Sequence, residues 1–218
     1  MKNLLLVVVV TFLLLSCEIS KVVNYPNVDI KFENNTIFYK SKKYTGKMKI
    51  VIKDKGIQAS LNVKEGKLNG KGNLKKDFEG EIEYLYFFIK NGKLDKKFIY
   101  KSYDNFLKYE YKMGKLKKYK SRGGDGVERN FVFNDKGKAN GTIELKELNI
   151  RTVLENGTGV ISRGELDHGE TYKVYIDERG DIMEEYYIDK ILDAENKESI
   201  MDVKQVEKIV FEILSEQD

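Results

Sequence analysis

The chain has 218 residues, a formal net charge of +4, one cysteine and one histidine. A single cysteine excludes an internal disulfide, and a single histidine excludes a metal site built on a histidine pair. The length suffices for one sizeable domain or for one elongated array of repeats.

The chain begins with a short apolar segment that is typical of an export signal. Lys2 precedes an apolar run over residues 4–15, and Ser16 and Cys17 follow it. The run is shorter than the ~20 apolar residues that a membrane-spanning helix needs. We therefore expect residues 1–16 to be a signal peptide that is removed on export. A membrane anchor with a chance cysteine is the alternative interpretation.

The end of this segment, Leu-Leu-Ser-Cys at 14–17, resembles the lipobox of bacterial lipoproteins. The resemblance implies cleavage before Cys17 and attachment of acyl chains such as palmitate to that residue, which would hold a soluble domain on a membrane. An acylated Cys17 leaves no thiol for a metal site or a nucleophile. The predicted location is the cell envelope, lipid-anchored. Because Glu18 stands where this family often has Asp for inner-membrane retention, the outer membrane is favoured over the inner membrane if the host has two.

Three segments are predicted after the signal peptide. Residues 17–30 contain the only proline and are expected to be a lipidated tether. Residues 31–190 are expected to form a β-hairpin repeat domain, and residues 191–218 a C-terminal helical cap.

Glycines divide the predicted repeat domain at nearly even intervals of 20, 26, 22, 23, 22 and 21 residues. Such regularity is typical of repeat architectures; the glycines are Gly46, Gly66, Gly92, Gly114, Gly137, Gly159 and Gly180. Between them, apolar and polar residues alternate with the period of a strand, as over residues 57–63. The Asn-Gly pairs at 91–92, 140–141 and 156–157 are expected to form tight hairpin turns. The prediction is a mainly β fold, an antiparallel β-hairpin array whose hairpins stack edge to edge.

Two stretches resemble the MORN repeat: "YTGK" at 44–47 and "EGKLNGKGNL" at 65–74, where Gly66, Gly70 and Gly72 occupy the glycine positions of that repeat. The looser "KNGKL" copies resemble YwqK-type antitoxin repeats. The resemblance extends over about residues 38–190 and implies a MORN-like meander. The chain departs from the family because it has no tryptophan and only one copy keeps all three glycines.

Residues 84–89 are apolar at every position, which interrupts the alternation. Such a strand is either covered on both faces or leaves one face as an exposed apolar patch. We expect a central strand that is buried on both sides.

The apolar period changes to that of a helix over residues 199–216. The apolar positions on or beside one helical face are Val203, Val206, Ile209, Val210, Ile213 and Leu214. Ser199 or Asp202 is placed to cap the start. The expected amphipathic helix would cover an open end or face of the sheet, and binding of a partner is the alternative.

Candidate catalytic groups are few. His168 matches no ligand or acid–base spacing, and its neighbours indicate a hairpin turn. Glu79, Glu81 and Glu83 alternate along one strand, whereas glycoside hydrolysis needs two carboxylates across a cleft. The glycine-rich stretch 122–129 lacks the residues of a phosphate or calcium loop and is expected to be a long flexible loop. No catalytic, cofactor or metal residue is predicted, and a carbohydrate-active enzyme is an outside alternative.

Positive charge is concentrated in residues 40–122, with 24 Lys/Arg against 9 Asp/Glu, whereas residues 165–218 have 6 against 17. This asymmetry indicates a binding surface or, alternatively, a solvated lysine-rich face. Lysines and tyrosines interleave over residues 100–120, and the candidate surface comprises Lys101, Tyr103, Lys108, Tyr109, Tyr111, Lys112, Lys115, Lys117, Lys118 and Tyr119.

The predicted function is a non-enzymatic, membrane-anchored envelope lipoprotein whose β-repeat scaffold binds a protein, glycan or lipid partner. Anionic lipid and acidic glycan suit the lysine-rich surface, and nucleic acid is not expected because the chain is exported. The YwqK-type resemblance implies the alternative, an immunity or antitoxin-like protein that neutralises a toxin partner.

Overall fold

The computed structural model describes residues 21–78, 81–163 and 166–215, and it confirms a mainly β fold with a C-terminal helix. The first strands are β1 (Lys21–Tyr25), β2 (Ile30–Glu33), β3 (Thr36–Tyr39), β4 (Lys42–Lys43), β5 (Gly46–Ile52), β6 (Ile57–Lys64), β7 (Lys67–Leu68), β8 (Gly70–Phe78), β9 (Glu81–Lys90) and β10 (Lys93–Leu94). They continue with β11 (Lys96–Lys101), β12 (Phe106–Lys112), β13 (Lys115–Arg122), β14 (Val127–Phe133), β15 (Ala139–Leu145), β16 (Ile150–Leu154), β17 (Thr158–Arg163), β18 (Leu166–Ile176), β19 (Ile182–Ile188) and β20 (Ile191–Glu198). A 3₁₀ turn covers Lys146–Leu148, and helix α1 covers Val203–Ser215.

The strands from β5 onward form one antiparallel meander. Apart from the two-residue strands β7 and β10, each strand pairs with the next along the chain, from β5–β6 to β19–β20. Strand β1 adds a parallel neighbour to β5, and β2, β3 and β4 form a separate three-stranded sheet. The predicted hairpin array is therefore present as one continuous sheet.

Alternation along the strands gives the meander an apolar inner face and a polar outer face. On β5, Met48 and Ile50 are buried, whereas Lys49 between them is exposed. The strand register extends this separation of buried and exposed residues to the neighbouring strands, because Ile50 lies opposite Ala59 and Ala59 lies opposite Leu74. We call the face that carries Ile50 the inner face and the face that carries Lys49 the outer face.

Glycines within strands of the inner face lie opposite large aromatic rings. Gly72 pairs with Phe87, and Gly141 pairs with Phe131. A Cβ atom at Gly72 would lie 2.1 Å from the Phe87 ring, so the missing side chain lets the ring cover the neighbouring strand. Because Gly141 lies inside β15, the predicted hairpin turn at 140–141 is wrong.

Tight turns with two residues at positive φ join several strand pairs, as the right-handed twist of hairpins favours. Asn91 and Gly92 have φ values of 53° and 69°, and Asn156 and Gly157 have values of 55° and 86°. Both predicted turns are therefore confirmed. The same geometry occurs at 65–66, 113–114 and 189–190, where no Asn-Gly pair is present.

The sheet curls so strongly that distant strands meet across its inner face. Arg129 on β14 and Glu184 on β19 form an ion pair, with 2.8 Å between Nε and Oε1. These strands are five positions apart, which would be about 24 Å in a flat sheet. Tyr109 on β12 likewise donates a hydrogen bond to Glu198 on β20 at 2.9 Å. The inner face thus packs against itself as well as against other elements.

Helix α1 and the small sheet contribute to the same core. Val206, Val210 and Leu214 are buried in the cluster that also contains the inner-face residues. The Phe211 ring lies edge-on to Phe32 of β2, with ring centroids 5.8 Å apart. The helix therefore packs against the β2–β4 sheet, and Phe211 is a core residue that the predicted apolar face did not include.

The start of α1 is a capping box. The Asp202 carboxylate accepts a hydrogen bond from the Gln205 N–H at 2.8 Å, and the Gln205 side chain accepts one from the Asp202 N–H at 2.7 Å. Of the two predicted caps, Asp202 is the one used.

Two predicted segment boundaries are wrong. Residues 21–25 of the expected tether form β1, because their pairing with β5 satisfies the edge of the sheet. Residues 191–198 of the expected helical cap form β20, which pairs with β19. The sheet is thus longer at both ends than the sequence indicated.

Candidate binding surface

The structure separates the ten predicted surface residues into two groups. Tyr109, Tyr111 and Tyr119 are buried on the inner face, so their assignment to a binding surface is wrong. The seven others are exposed or half-buried: Lys101, Tyr103, Lys108, Lys112, Lys115, Lys117 and Lys118. The signal for this correction is in the sequence, since alternation puts neighbouring tyrosines and lysines of one strand on opposite faces.

The buried tyrosines anchor the end of the chain to the sheet. The hydroxyls of Tyr109 and Tyr119 both donate to the Glu198 carboxylate, and the Tyr111 hydroxyl donates to the Met201 carbonyl at 2.9 Å. Burial, followed by the nearby Glu198 carboxylate, raises the pKa of Tyr109 and of Tyr119. These tyrosines are hydrogen-bonded structural groups.

A second polar contact crosses the inner face. Burial raises the pKa of Glu184, and the Arg129 guanidinium opposes this effect by favouring the charged carboxylate. The pair is close to Glu198, whose charge also raises the Glu184 pKa. Since a carboxylate is costly to bury alone, Arg129 is needed to hold Glu184 in the core.

Lys101, Lys108 and Lys118 belong to a wider surface on the outer face of β8, β9, β11, β12 and β13, which does not include Tyr103, Lys112, Lys115 or Lys117. The register aligns the second and third of its three rows across all five strands, and the first row lies two residues further along each strand. The first row is Lys71, Phe88, Lys97, Glu110 and Lys118; the second is Asn73, Tyr86, Ile99, Lys108 and Lys120; the third is Lys75, Tyr84, Lys101, Phe106 and Arg122. We call these fifteen residues the basic face, because they include eight cations and one carboxylate.

Cations and rings alternate along the third row. Lys75, Lys101 and Arg122 lie on every second strand, with Tyr84 and Phe106 between them. Because neighbouring strands are about 4.8 Å apart, successive cations are separated by about 10 Å. The row therefore presents charges at a regular interval with an aromatic ring in each gap.

The middle row places like charges next to each other. Lys108 lies directly opposite Lys120, an arrangement that destabilises a sheet. Glu110 relieves part of this repulsion, with its carboxylate 2.7 Å from the Lys108 Nζ and 3.8 Å from the Lys118 Nζ. Its hydrogen bond with Lys108 lowers the pKa of Glu110. Asp77, next to the third row, pairs with Lys75 at 3.2 Å. These two carboxylates leave most of the positive charge of the basic face unbalanced.

The aromatic rings of the basic face are half-buried, and lysine side chains lie over two of them. The Lys71 ammonium lies 5.5 Å from the Tyr86 ring centroid, and the Lys96 ammonium lies 4.4 Å from the Phe88 ring centroid. The prediction that residues 84–89 are buried on both faces is wrong, because only the inner positions 85, 87 and 89 are buried. Lysine side chains cover Tyr86 and Phe88 in place of a second protein layer.

The other candidate groups form no cluster in the described part of the chain. The Glu83 carboxylate accepts a hydrogen bond from the Tyr100 hydroxyl at 3.3 Å. Glu79 lies outside the described residues, as do the side chains of Glu81 and His168. No group of three acidic, histidine or cysteine side chains able to hold a metal occurs among the side chains that are described.

The predicted flexible loop at 122–129 is wrong. Only residues 123–126 lie between β13 and β14, and the Asp125 carboxylate accepts a hydrogen bond from the Val127 N–H at 3.0 Å. The two strands pair directly on either side, so this is a hairpin connection within one sheet and not a domain boundary.

Cys17 and the whole predicted signal segment lie outside the described residues. Within the three described ranges, no helix is both long and apolar enough to cross a bilayer.

These features define the class of the protein as a curled antiparallel meander with one cationic, aromatic face. No family model, curated protein or solved structure matches the chain.

Proposed function

We propose that the protein is a lipid-anchored, non-enzymatic scaffold of the cell envelope that binds an acidic glycan on its basic face. The observation that carries the proposal is the ratio of eight cations to one carboxylate in three adjoining rows of one sheet face. A surface of this charge attracts polyanions, and the opposed lysines favour a partner that brings negative charge between them.

The alternation of cations and rings favours a glycan over other anionic partners. In the row Lys75, Tyr84, Lys101, Phe106, Arg122, a sugar face can stack on each ring while acidic groups pair with the flanking cations. The rings are half-buried and lie in the sheet surface, so they suit stacking better than insertion into a bilayer.

The location of the partner follows from the predicted anchor. An acylated Cys17 would keep the basic face at a membrane surface of the envelope, within reach of envelope polysaccharide. The described chain begins at β1, four residues after Cys17, so the tether would be short and the sheet would lie close to the membrane.

The test is binding of the mature chain, with Cys17→Ser to avoid detergent, to alginate as an acidic polysaccharide and to dextran as a neutral one. We expect saturable binding to alginate that weakens as salt rises, because surface charges are screened. The double charge reversal Lys101→Glu and Lys120→Glu should weaken binding by at least about tenfold, which corresponds to ~1.4 kcal/mol. Lys173→Glu, on the outer face of β18, is the matched control and should leave binding unchanged.

Three outcomes would overturn the proposal: equal binding to dextran, binding that the double reversal does not affect, or binding to anionic vesicles without binding to alginate. The last result would identify a lipid surface as the partner of the basic face.

A further inference from the structure

A cleft of about 720 Å³ lies at one end of the sheet, away from the rows of the basic face. Its walls are the turns after β9, β12, β14 and β18, together with the segment 200–204 that leads into α1. A volume of this size is within the range of small-molecule sites, ~300–1,000 Å³. These turns are far apart along the chain, and the curling of the sheet brings them together to form the cleft.

The floor of the cleft is apolar. Leu94, Tyr111 and Leu116 line it as buried side chains, and Ile176 and Met201 line it as half-buried ones.

The floor is also held in place. The Tyr111 hydroxyl donates to the Met201 carbonyl at 2.9 Å, and the Ile200 N–H donates to the Asp181 carboxylate at 3.4 Å. The segment 200–202 is thereby fixed to two separate parts of the sheet, so the apolar floor is preformed.

The rim of the cleft is cationic, with Lys93, Lys115, Lys136, Arg179 and Lys204 exposed around it. None of these five cations forms an ion pair with a carboxylate of the described residues.

The carboxylates of the cleft are already engaged. Asp135 is bound by Lys117 at 2.9 Å, and Asp177 and Asp181 are both bound by Lys197. The Asp202 carboxylate caps α1. Together with Lys117 and Lys197, the five rim cations make seven positive charges against these four carboxylates, so the net charge of the cleft is positive.

Lys204 provides a second argument. It lies in the first turn of α1, where the helix dipole disfavours a cation. A lysine at this position works against the stability of its own helix, and an anion bound in the cleft would offset this effect.

From these observations we propose that the cleft binds a small amphipathic anion, with an apolar body on the floor and a phosphate or carboxylate group between the rim cations. The apolar floor selects the body of the ligand, and the cations select its charge. This site is separate from the basic face.

The proposal can be tested with dodecyl phosphate below its micellar concentration, titrated into the Cys17→Ser mature chain and followed by calorimetry. Dodecanol supplies the same chain without the charge, and inorganic phosphate the charge without the chain. We expect saturable binding of dodecyl phosphate, at least about tenfold tighter than either comparison compound, a factor that corresponds to ~1.4 kcal/mol.

The informative variant is Lys204→Glu. It should weaken dodecyl phosphate binding by at least tenfold while leaving the thermal midpoint unchanged or raised, because an acidic residue suits the first helical turn. Lys49→Glu, on the outer face of β5, is the control and should leave binding unchanged. Alginate binding should persist in Lys204→Glu, which separates this site from the proposed glycan surface.

The proposal fails if dodecanol or inorganic phosphate binds as tightly as dodecyl phosphate, or if Lys204→Glu binds normally. It also fails if the chain binds vesicles containing anionic lipid but not monomeric dodecyl phosphate, since that would indicate a membrane-docking surface.

Discussion

At the scale of single residues, strand alternation places the buried tyrosines of β12 and β13 on the inner face. Their hydroxyls donate hydrogen bonds to residues near the C-terminal end of the chain. Tyr109 and Tyr119 lie opposite each other on the inner face, and their hydroxyls converge on Glu198. Hydrogen bonds to a charged acceptor are among the stronger ones in proteins. Two residues that look like a surface motif in the sequence therefore hold the last strand in position.

The buried tyrosines lead to a prediction about pH. The pKa of Tyr109 is raised in the folded protein, first by burial and then by Glu198, above the value of about 10 expected in the unfolded chain. The contribution of the protonated Tyr109 hydroxyl to the stability of the folded state is fully present below pH 10. Above that pH the unfolded chain releases a proton that the folded state keeps, so the free energy of unfolding falls as pH rises.

We expect Tyr109→Phe to lower the free energy of unfolding at pH 7 by about 2 kcal/mol, because a hydrogen bond to a carboxylate is lost. The same variant should show a shallower loss of stability between pH 9 and pH 10.5. Urea denaturation at several pH values measures both effects. Tyr103→Phe, at an exposed turn position, is the control and should match the parent; an unchanged alkaline slope in Tyr109→Phe would contradict the assignment.

At the scale of elements, α1 is defined by its cap and by the face it buries. The Asp202–Gln205 capping box fixes where it starts, and three buried positions, Val206, Val210 and Leu214, recur at helical spacing. Phe211 extends this face toward Phe32 of the small sheet. The helix thus links the N-terminal strands to the core of the meander.

This packing predicts that Phe211→Ala destabilises the protein by about 3 kcal/mol, the cost of removing a buried aromatic side chain. The variant should also loosen the β2–β4 sheet, because Phe32 loses its ring contact. Urea denaturation measures the first effect, and amide hydrogen exchange over residues 30–43 measures the second. Lys208→Ala, on the exposed side of α1, should change neither; unchanged exchange in Phe211→Ala would show that the two elements are independent.

Several elements could be predicted from the sequence because their signals are local. Alternation identified β6, and the Asn-Gly pairs identified the turns at 91–92 and 156–157. The pair at 140–141 misled the prediction, since Gly141 is needed for the close approach of the Asn130 carbonyl and not for a turn. An isolated Asn-Gly pair does not distinguish these two uses of glycine.

At the scale of the whole molecule, the curled sheet differs from a linear array of repeats. In a linear array each repeat contacts only its neighbours, and unfolding can proceed repeat by repeat. Here the Arg129–Glu184 pair and the Tyr109–Glu198 hydrogen bond join strands that are far apart in the meander. One cluster of buried apolar residues extends from Val23 to Leu214.

We therefore expect a single cooperative unfolding transition. Hydrogen exchange in increasing urea should give the same midpoint for β6 and β18, within experimental error. Glu198→Ala should lower both midpoints together, because it weakens a contact shared by the whole core. Two well-separated midpoints in the parent protein would instead indicate independent repeats.

The sequence by itself determined the strand period, the glycine turns and the C-terminal helix, because these depend on residues that are close together in the chain. It also supplied the expectation of an acylated Cys17. The candidate surface was predicted only in part: the lysines of residues 100–120 were identified, but the aligned residues of β8 and β9 lie elsewhere in the sequence.

Only the tertiary structure decided how the meander curls and that a cleft forms at its end. Arg129 and Glu184 are 55 residues apart, and their meeting depends on twist that accumulates over many strands. The rows of the basic face likewise depend on the register of five strands, which no single stretch of sequence contains. Local order was therefore predictable, whereas the surfaces proposed to bind ligands arise from contacts between distant segments.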